Sequence, residues 1–133
     1  MILTAMLVVV GAEIMALGFS QSMISKGEVE SARAYRFAEA GARDALQRIA
    51  RNKSYACATV DCYAVDMSVS GCANGDACSR VQVSSGVGSI ADPKIITAKG
   101  IVNNKTRTVQ VNVVLDPASD GEITTTTWSE LTN

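Results

Sequence analysis

From Met1 to Phe19 the chain is almost uninterrupted hydrophobe, with Glu13 as its one charge, and no proline separates this run from the helix-forming stretch that continues to Ala50. A helix rises about 1.5 Å per residue, so the apolar run is roughly 29 Å long and matches the ~30 Å hydrocarbon core of a bilayer. The stretch after Lys26 is rich in Ala, Arg, Glu, Leu and Gln, all good helix formers. A single helix of roughly 50 residues, about 75 Å long, is the expectation. It divides into an apolar membrane-spanning or filament-core half over residues 1–25 and an amphipathic half over 26–52. The remaining residues, 53–133, read as a separate β-rich head.

No cleavable secretory signal is visible, because a basic n-region, a short apolar core and a small-residue cleavage site are all lacking. The first basic residue is Lys26. If Met1 initiated translation, the excess of positive charge would hold the Lys26 side in the cytoplasm and leave four cysteines in a reducing compartment. Met1 is therefore read as the first residue of a processed chain.

The amphipathic half has two faces. Glu39 and Arg43, and Asp44 and Arg48, are spaced four apart, which places them on a wet face as ion pairs of a few tenths of a kcal/mol. Ala34, Ala38, Gly41, Ala42, Ala45 and Ile49 recur at helical spacing on another face. Such small residues let backbones approach closely, so this face suits either neighbouring helices or the head's own sheet. Gly11, Gly18 and Gly27 each cost about 1 kcal/mol in a helix interior and mark places where the rod is expected to bend.

The head shows period-two alternation. Tyr63–Val69 and Arg80–Val83 read as strands, and Lys94–Val102 and Thr106–Leu115 flank Asn103, Asn104 and Lys105 in a β-hairpin, since Asn tolerates the left-handed backbone of tight turns. Val109, Val111 and Val113 are expected toward the helix, and Arg107, Gln110 and Asn112 toward water. The segment Ile123–Leu131 reads as an edge strand anchored in the core by Trp128. The fold class is thus α+β: a long N-terminal helix and an antiparallel sheet of three to five strands packed on its C-terminal half.

Cys57, Cys62, Cys72 and Cys78 make an even set in a small β domain. Structural zinc sites favour cysteine pairs two to four residues apart, which the spacings here fit poorly. Disulfides are the reading. Three pairings are possible, and the local ones, Cys57–Cys62 and Cys72–Cys78, are favoured because Gly71, Asn74 and Gly75 supply turns for short loops.

Other chemistry is sparse. Twelve basic residues balance thirteen acidic ones and histidine is absent, which removes the commonest general base and metal ligand and argues against an enzyme. No cofactor and no specific nucleic-acid partner are expected. Asp116, Asp120 and Glu122 around Gly121 read as an acidic turn rather than a calcium loop, whose spacing they do not match. Asn52 and Asn104 open glycosylation sequons. Lys94, Lys99, Lys105 and Arg107 make the hairpin basic, as a solvated face.

An apolar span that runs unbroken into an amphipathic helix, closes on Arg36-Phe37-Ala38-Glu39-Ala40-Gly41-Ala42-Arg43 and precedes a cysteine-bearing β domain resembles the type IV pilins, most of all their minor-pilin-like branch. The likeness covers residues 1 to about 52, and the head in general architecture. It implies a lollipop-shaped subunit, cleavage by a prepilin peptidase, N-methylation at Met1 and storage in the inner membrane. It further implies extraction by an assembly ATPase into a homo-oligomeric helical filament at the cell surface, with Met1, Ala5, Gly11, Glu13 and Gly18 in the assembly segment. The fifth position, where the family usually carries glutamate, is Ala5 here. Glu13 is expected to replace that contact by meeting the amino terminus, or polar groups such as Thr4, of an adjacent subunit. The rival is a protonated carboxyl held by its own helix near Gly11.

The function that follows is a structural filament subunit for adhesion, motility or DNA uptake. A minor pilin or secretion pseudopilin that initiates or caps a filament is the alternative within the fold. A monomeric membrane-tethered binding module and, more distantly, an extracytoplasmic thiol enzyme are alternatives from other classes. If the cysteines are paired, the intact mass falls four hydrogens below that of the reduced chain, and alkylation before reduction modifies none of them. Zinc retained by the purified chain would reverse this reading.

Overall fold

The computed structural model describes the backbone of residues 2–118 and 120–132, and the surroundings of each residue at 18, 20–118 and 120–132. The fold is α+β. One helix, α1 (Ile2–Arg51), is followed by β1 (Tyr63–Asp66), β2 (Cys78–Val83), β3 (Lys94–Val102), β4 (Lys105–Leu115) and β5 (Ile123–Leu131). The strands form one antiparallel sheet in the order β1-β2-β3-β4-β5, so each strand pairs with its sequence neighbours.

The helix is continuous through Gly18 and Gly27. It ends where Asn52 donates its N–H to the carbonyl of Arg48 at 2.9 Å, and Arg48 and Arg51 in the last turn complement the negative end of the helix dipole. The Asn52 side chain then accepts from Ser54 N and Oγ, which turns the chain away from the helix axis.

Alternation builds the sheet. In β3 every second residue from Lys94 to Val102 is buried, and in β4 Val109, Val111 and Val113 are buried toward the helix. The turn between them uses Asn103 at φ 50, the left-handed conformation that Asn tolerates. The helix lies across β2, β3 and β4, the centre of the sheet, and leaves the outer strands largely uncovered. Ala38, Ala42, Ala45 and Ile49 form one core with Val81, Val83, Ile96, Ala98, Val109, Val111, Val113 and Leu115. Part of the sheet's far side is screened near β2 and β3. There Gln82 donates to the carbonyl of Ala58 at 2.7 Å and Lys99 pairs with Asp61 at 3.5 Å.

Several expectations need correction. The first strand ends at Asp66, because the chain turns at Ser68–Gly71 with Ser70 left-handed at φ 59. Trp128 is 37% exposed rather than core: it stands on edge strand β5, outside the central strands that the helix covers, with the Arg43 guanidinium of α1 6.0 Å from its ring centroid. Lys94, expected on a solvated face, is 2% exposed, since its odd register places it among the buried positions of β3. Arg107 shares the helix-side register of Val109 rather than the outer face of Gln110, and there it pairs with Glu130 of β5.

The helix sits unusually close to the sheet. A Cβ at Gly100 would collide with the carbonyl oxygen of Ala34 and the amide of Ala38, and one at Gly41 with the side chain of Ser79. Gly100→Ala is therefore expected to destabilise the head by about 1–3 kcal/mol, the cost of overpacking a filled core. Gly18→Ala, with open space around it, leaves the unfolding midpoint unchanged or raised. A urea titration of both variants checks the contrast.

Candidate functional site

The surface that joins helix and sheet is the most specific feature of the molecule. Ala34, Ala38, Ala42, Ala45 and Ile49 are completely buried, as is Gly41, and all six lie on one face of α1. Opposite them are Gly100, Ala98, Ser79 and Val81. Ser79 Oγ is buried with no hydrogen-bond partner, so it acts here as a small space-filler against Gly41.

The helix C-terminus is held by a second group that sequence reading missed. Arg48 Nε donates to Asp44 Oδ2 at 2.8 Å, and its guanidinium lies 4.3 Å from the Tyr63 ring centroid and 6.0 Å from that of Tyr55. The hydrogen bond to Asp44 raises the Arg48 pKa and keeps the cation fixed. Tyr63 is pushed well above the usual phenol range, first by burial and then by the neighbouring Asp44 carboxylate, although its hydroxyl makes no well-formed hydrogen bond. Lys94 Nζ donates to the Tyr55 carbonyl at 3.1 Å, and burial lowers its pKa against a smaller opposing pull from Asp92. The only sequence signal for this group was the Asp44/Arg48 spacing, which also fits an ordinary wet-face pair.

Cys57 is bonded to Cys62 and Cys72 to Cys78, with Cα atoms 5.8 and 4.6 Å apart, and no free cysteine remains. The first loop is anchored to the sheet because Cys57 exchanges both backbone hydrogen bonds with Val83 at 2.9 Å. The second closes the β1–β2 connection, where Asp66 Oδ1 accepts from Cys72 N at 2.6 Å. Closing a small loop stabilises a fold by about 2–3 kcal/mol, a large share for so small a head.

Where the helix enters the head, Met23, Ile24, Gly27, Glu28, Ser31 and Ala32 line a shallow open cleft with Lys105 and Arg107 of the hairpin. Met23 and Ile24 are exposed there. At this level the head contacts the helix, with Lys105 near Gly27 and Asn103 Nδ2 donating to Glu30 Oε1 at 3.0 Å.

Of the expected assembly positions, Gly18 is exposed on the helix, whereas Met1 and the side chains at Ala5, Gly11 and Glu13 lie outside the described residues. Among the described residues, no helix is long and apolar enough to cross a membrane and no acidic or cysteine cluster is placed to hold a metal ion. The Asp116–Glu122 turn closes on itself through an Asp116 N–H to Glu122 carbonyl bond of 2.8 Å. Both sequon asparagines, Asn52 and Asn104, are exposed.

Lys94 provides a test of the core's tolerance for charge. Its folded pKa lies below the ordinary 10.5, so the unfolded chain binds the extra proton between those two values, and stability rises with pH through that window. Lys94→Met keeps the volume and removes the desolvated ammonium. We expect a neutral-pH stability equal to wild type or higher, and loss of the alkaline rise, in denaturant titrations at several pH values. A large destabilisation would show that the Tyr55 hydrogen bond outweighs the burial of charge.

Comparison with known proteins finds no matching family model, no matching curated protein and no matching solved structure.

Proposed function

We propose that the chain is a structural subunit of an extracellular filament of the type IV pilus kind, polymerising through the apolar first half of α1. The observation that carries this reading is the division of labour along one continuous helix. Among the described residues, the head meets α1 from about the level of Met23 and Gly27 onward, and about 20–25 residues, roughly 30–40 Å of helix, precede that level. The apolar run Met1–Phe19 lies in the part of α1 that precedes this level. An apolar surface of this size needs lipid or other helices around it.

The remaining features fit the same reading. The disulfides suit an oxidising compartment outside the cytoplasm. The head is a rigid sheet with short stapled loops rather than a cleft with convergent titratable groups, which favours a structural role over catalysis. On this reading the chain waits in the inner membrane as a single-pass protein after a prepilin peptidase has exposed and methylated Met1. An assembly ATPase then drives its transfer into the fibre, which serves adhesion, motility or DNA uptake.

Immunogold electron microscopy with antibody to the head tests it directly. Label along the length of surface fibres is expected, whereas label confined to tips or bases would make the chain an initiating or capping subunit. Uniform envelope label without fibres would overturn the filament reading in favour of a membrane-tethered module. Glu13→Gln preserves shape and removes the one charge in the apolar run, where a charge at mid-bilayer costs about 3 kcal/mol and marks a functional position. The variant should insert normally but give few or short fibres, and wild-type fibre numbers would remove Glu13 from the assembly contact.

A further inference from the structure

In the cleft between α1 and the β3–β4 hairpin, exposed apolar side chains and charges of both signs share one surface. Met23 and Ile24, 73% and 60% exposed, lie where the helix enters. Farther along α1 come Glu28 and Ser31, and Lys105 reaches Gly27 from the hairpin. Glu28 and Lys105 are both exposed, and among the described residues neither belongs to an ion pair, whereas Arg107 in the same cleft is tied to Glu130. The cleft is open, with a volume of about 570 Å³.

Its level along the helix matters as much as its chemistry. Met23 and Ile24 stand about 6–8 Å beyond Phe19 along α1, and Glu28 about 13–14 Å beyond it. The polar layer of a bilayer is roughly 5–8 Å thick on each side of the hydrocarbon. With Met1–Phe19 in the hydrocarbon, Met23 and Ile24 fall in that layer. Helical side chains lean toward the helix N-terminus, so Glu28 reaches back toward it, and the long Lys105 side chain extends to the same level.

We propose that, before assembly, this cleft seats the headgroup of an amine-bearing zwitterionic phospholipid, phosphatidylethanolamine in type, with Lys105 on the phosphate and Glu28 on the ammonium group. The proposal rests on the reading of Met1–Phe19 as a membrane span. Two opposite charges that share a cleft without pairing with each other match a headgroup that carries both signs. An anionic headgroup would satisfy Lys105 but set its net charge against Glu28, and a choline headgroup has no N–H to donate to the carboxylate. Met23 and Ile24 then meet the glycerol and first methylenes of the lipid instead of water. The head is thereby held against the bilayer while the chain is stored.

Two measurements on the full chain test this. Flotation with vesicles of phosphatidylethanolamine and phosphatidylglycerol shows whether the chain enters a bilayer. A chain left in the aqueous fraction would overturn the membrane span and this proposal with it. The chain in maltoside micelles is then titrated with each lipid separately, and bound lipid is counted by native mass spectrometry. Wild type should retain phosphatidylethanolamine in preference to phosphatidylglycerol and phosphatidylcholine. Lys105→Gln should weaken phosphatidylethanolamine binding about fivefold, the upper range for a solvent-exposed ion pair. Glu28→Gln should abolish the preference over phosphatidylglycerol, and Arg51→Gln, at the far end of α1, should change neither. All three side chains are exposed, so none of these substitutions disturbs the core. With flotation intact, four results would each overturn the proposal and leave the membrane span standing: no preference in wild type, unchanged affinity in Lys105→Gln, a preference that survives Glu28→Gln, or an equal loss in Arg51→Gln.

Discussion

The architecture depends on how closely α1 can approach β3. Gly100 sits under the backbone of Ala34 and Ala38, and Gly41 sits over Ser79, so at both points there is no room for one more carbon. Close approach of backbones brings many atoms within dispersion range at once, each contact small and the sum large. It also sets the tilt of the helix across the sheet, because only a narrow row of alanines and glycines can occupy the seam. A helix with leucines at these positions would bury more area per residue, but would stand farther from the sheet and lose the fit against β2 and β4.

A seam of small residues holds the helix close without gripping its end. The group at the C-terminus of α1 supplies that grip. Arg48, fixed by Asp44, lies over Tyr63 at the start of β1 and near Tyr55 in the connecting segment, so one cation joins the helix, the loop and the sheet edge. Cation–π contacts of this kind contribute about 0.5–2 kcal/mol each, more as they are desolvated. The Cys57–Cys62 loop and the Cys57–Val83 backbone pair fasten the same region from the other side. The segment between helix and sheet carries little regular structure, and its order comes from these cross-ties.

A head built this way is compatible with mechanical use. Its strands are sequential neighbours, two of its connecting segments are stapled, and its helix is held both along the central strands and at its C-terminal turn. Among the described residues, the cleft at Met23 and Ile24, where the helix enters, and the β5 edge are left uncovered. They lie where contacts with other copies would not disturb the core.

The sequence alone determined the elements and their faces. The proline-free run to Ala50 specifies one helix, and the recurrence of Ala34, Ala38, Gly41, Ala42, Ala45 and Ile49 specifies its buried stripe. The alternation around Asn103 specifies the hairpin, because periodicity and turn chemistry are local properties. Tertiary structure decided what those elements meet. Trp128 reads as core by composition but stands on edge strand β5, where Arg43 of the helix approaches its ring without burying it. Lys94 reads as solvated but its register places it under Tyr55, and Arg107 lies on the side of the sheet opposite to Gln110. The Arg48, Asp44, Tyr63 and Tyr55 group was hidden for the same reason. Its members are joined across the fold rather than along the chain, and which cation covers which ring is set by the crossing of helix and sheet, a quantity that no local pattern encodes.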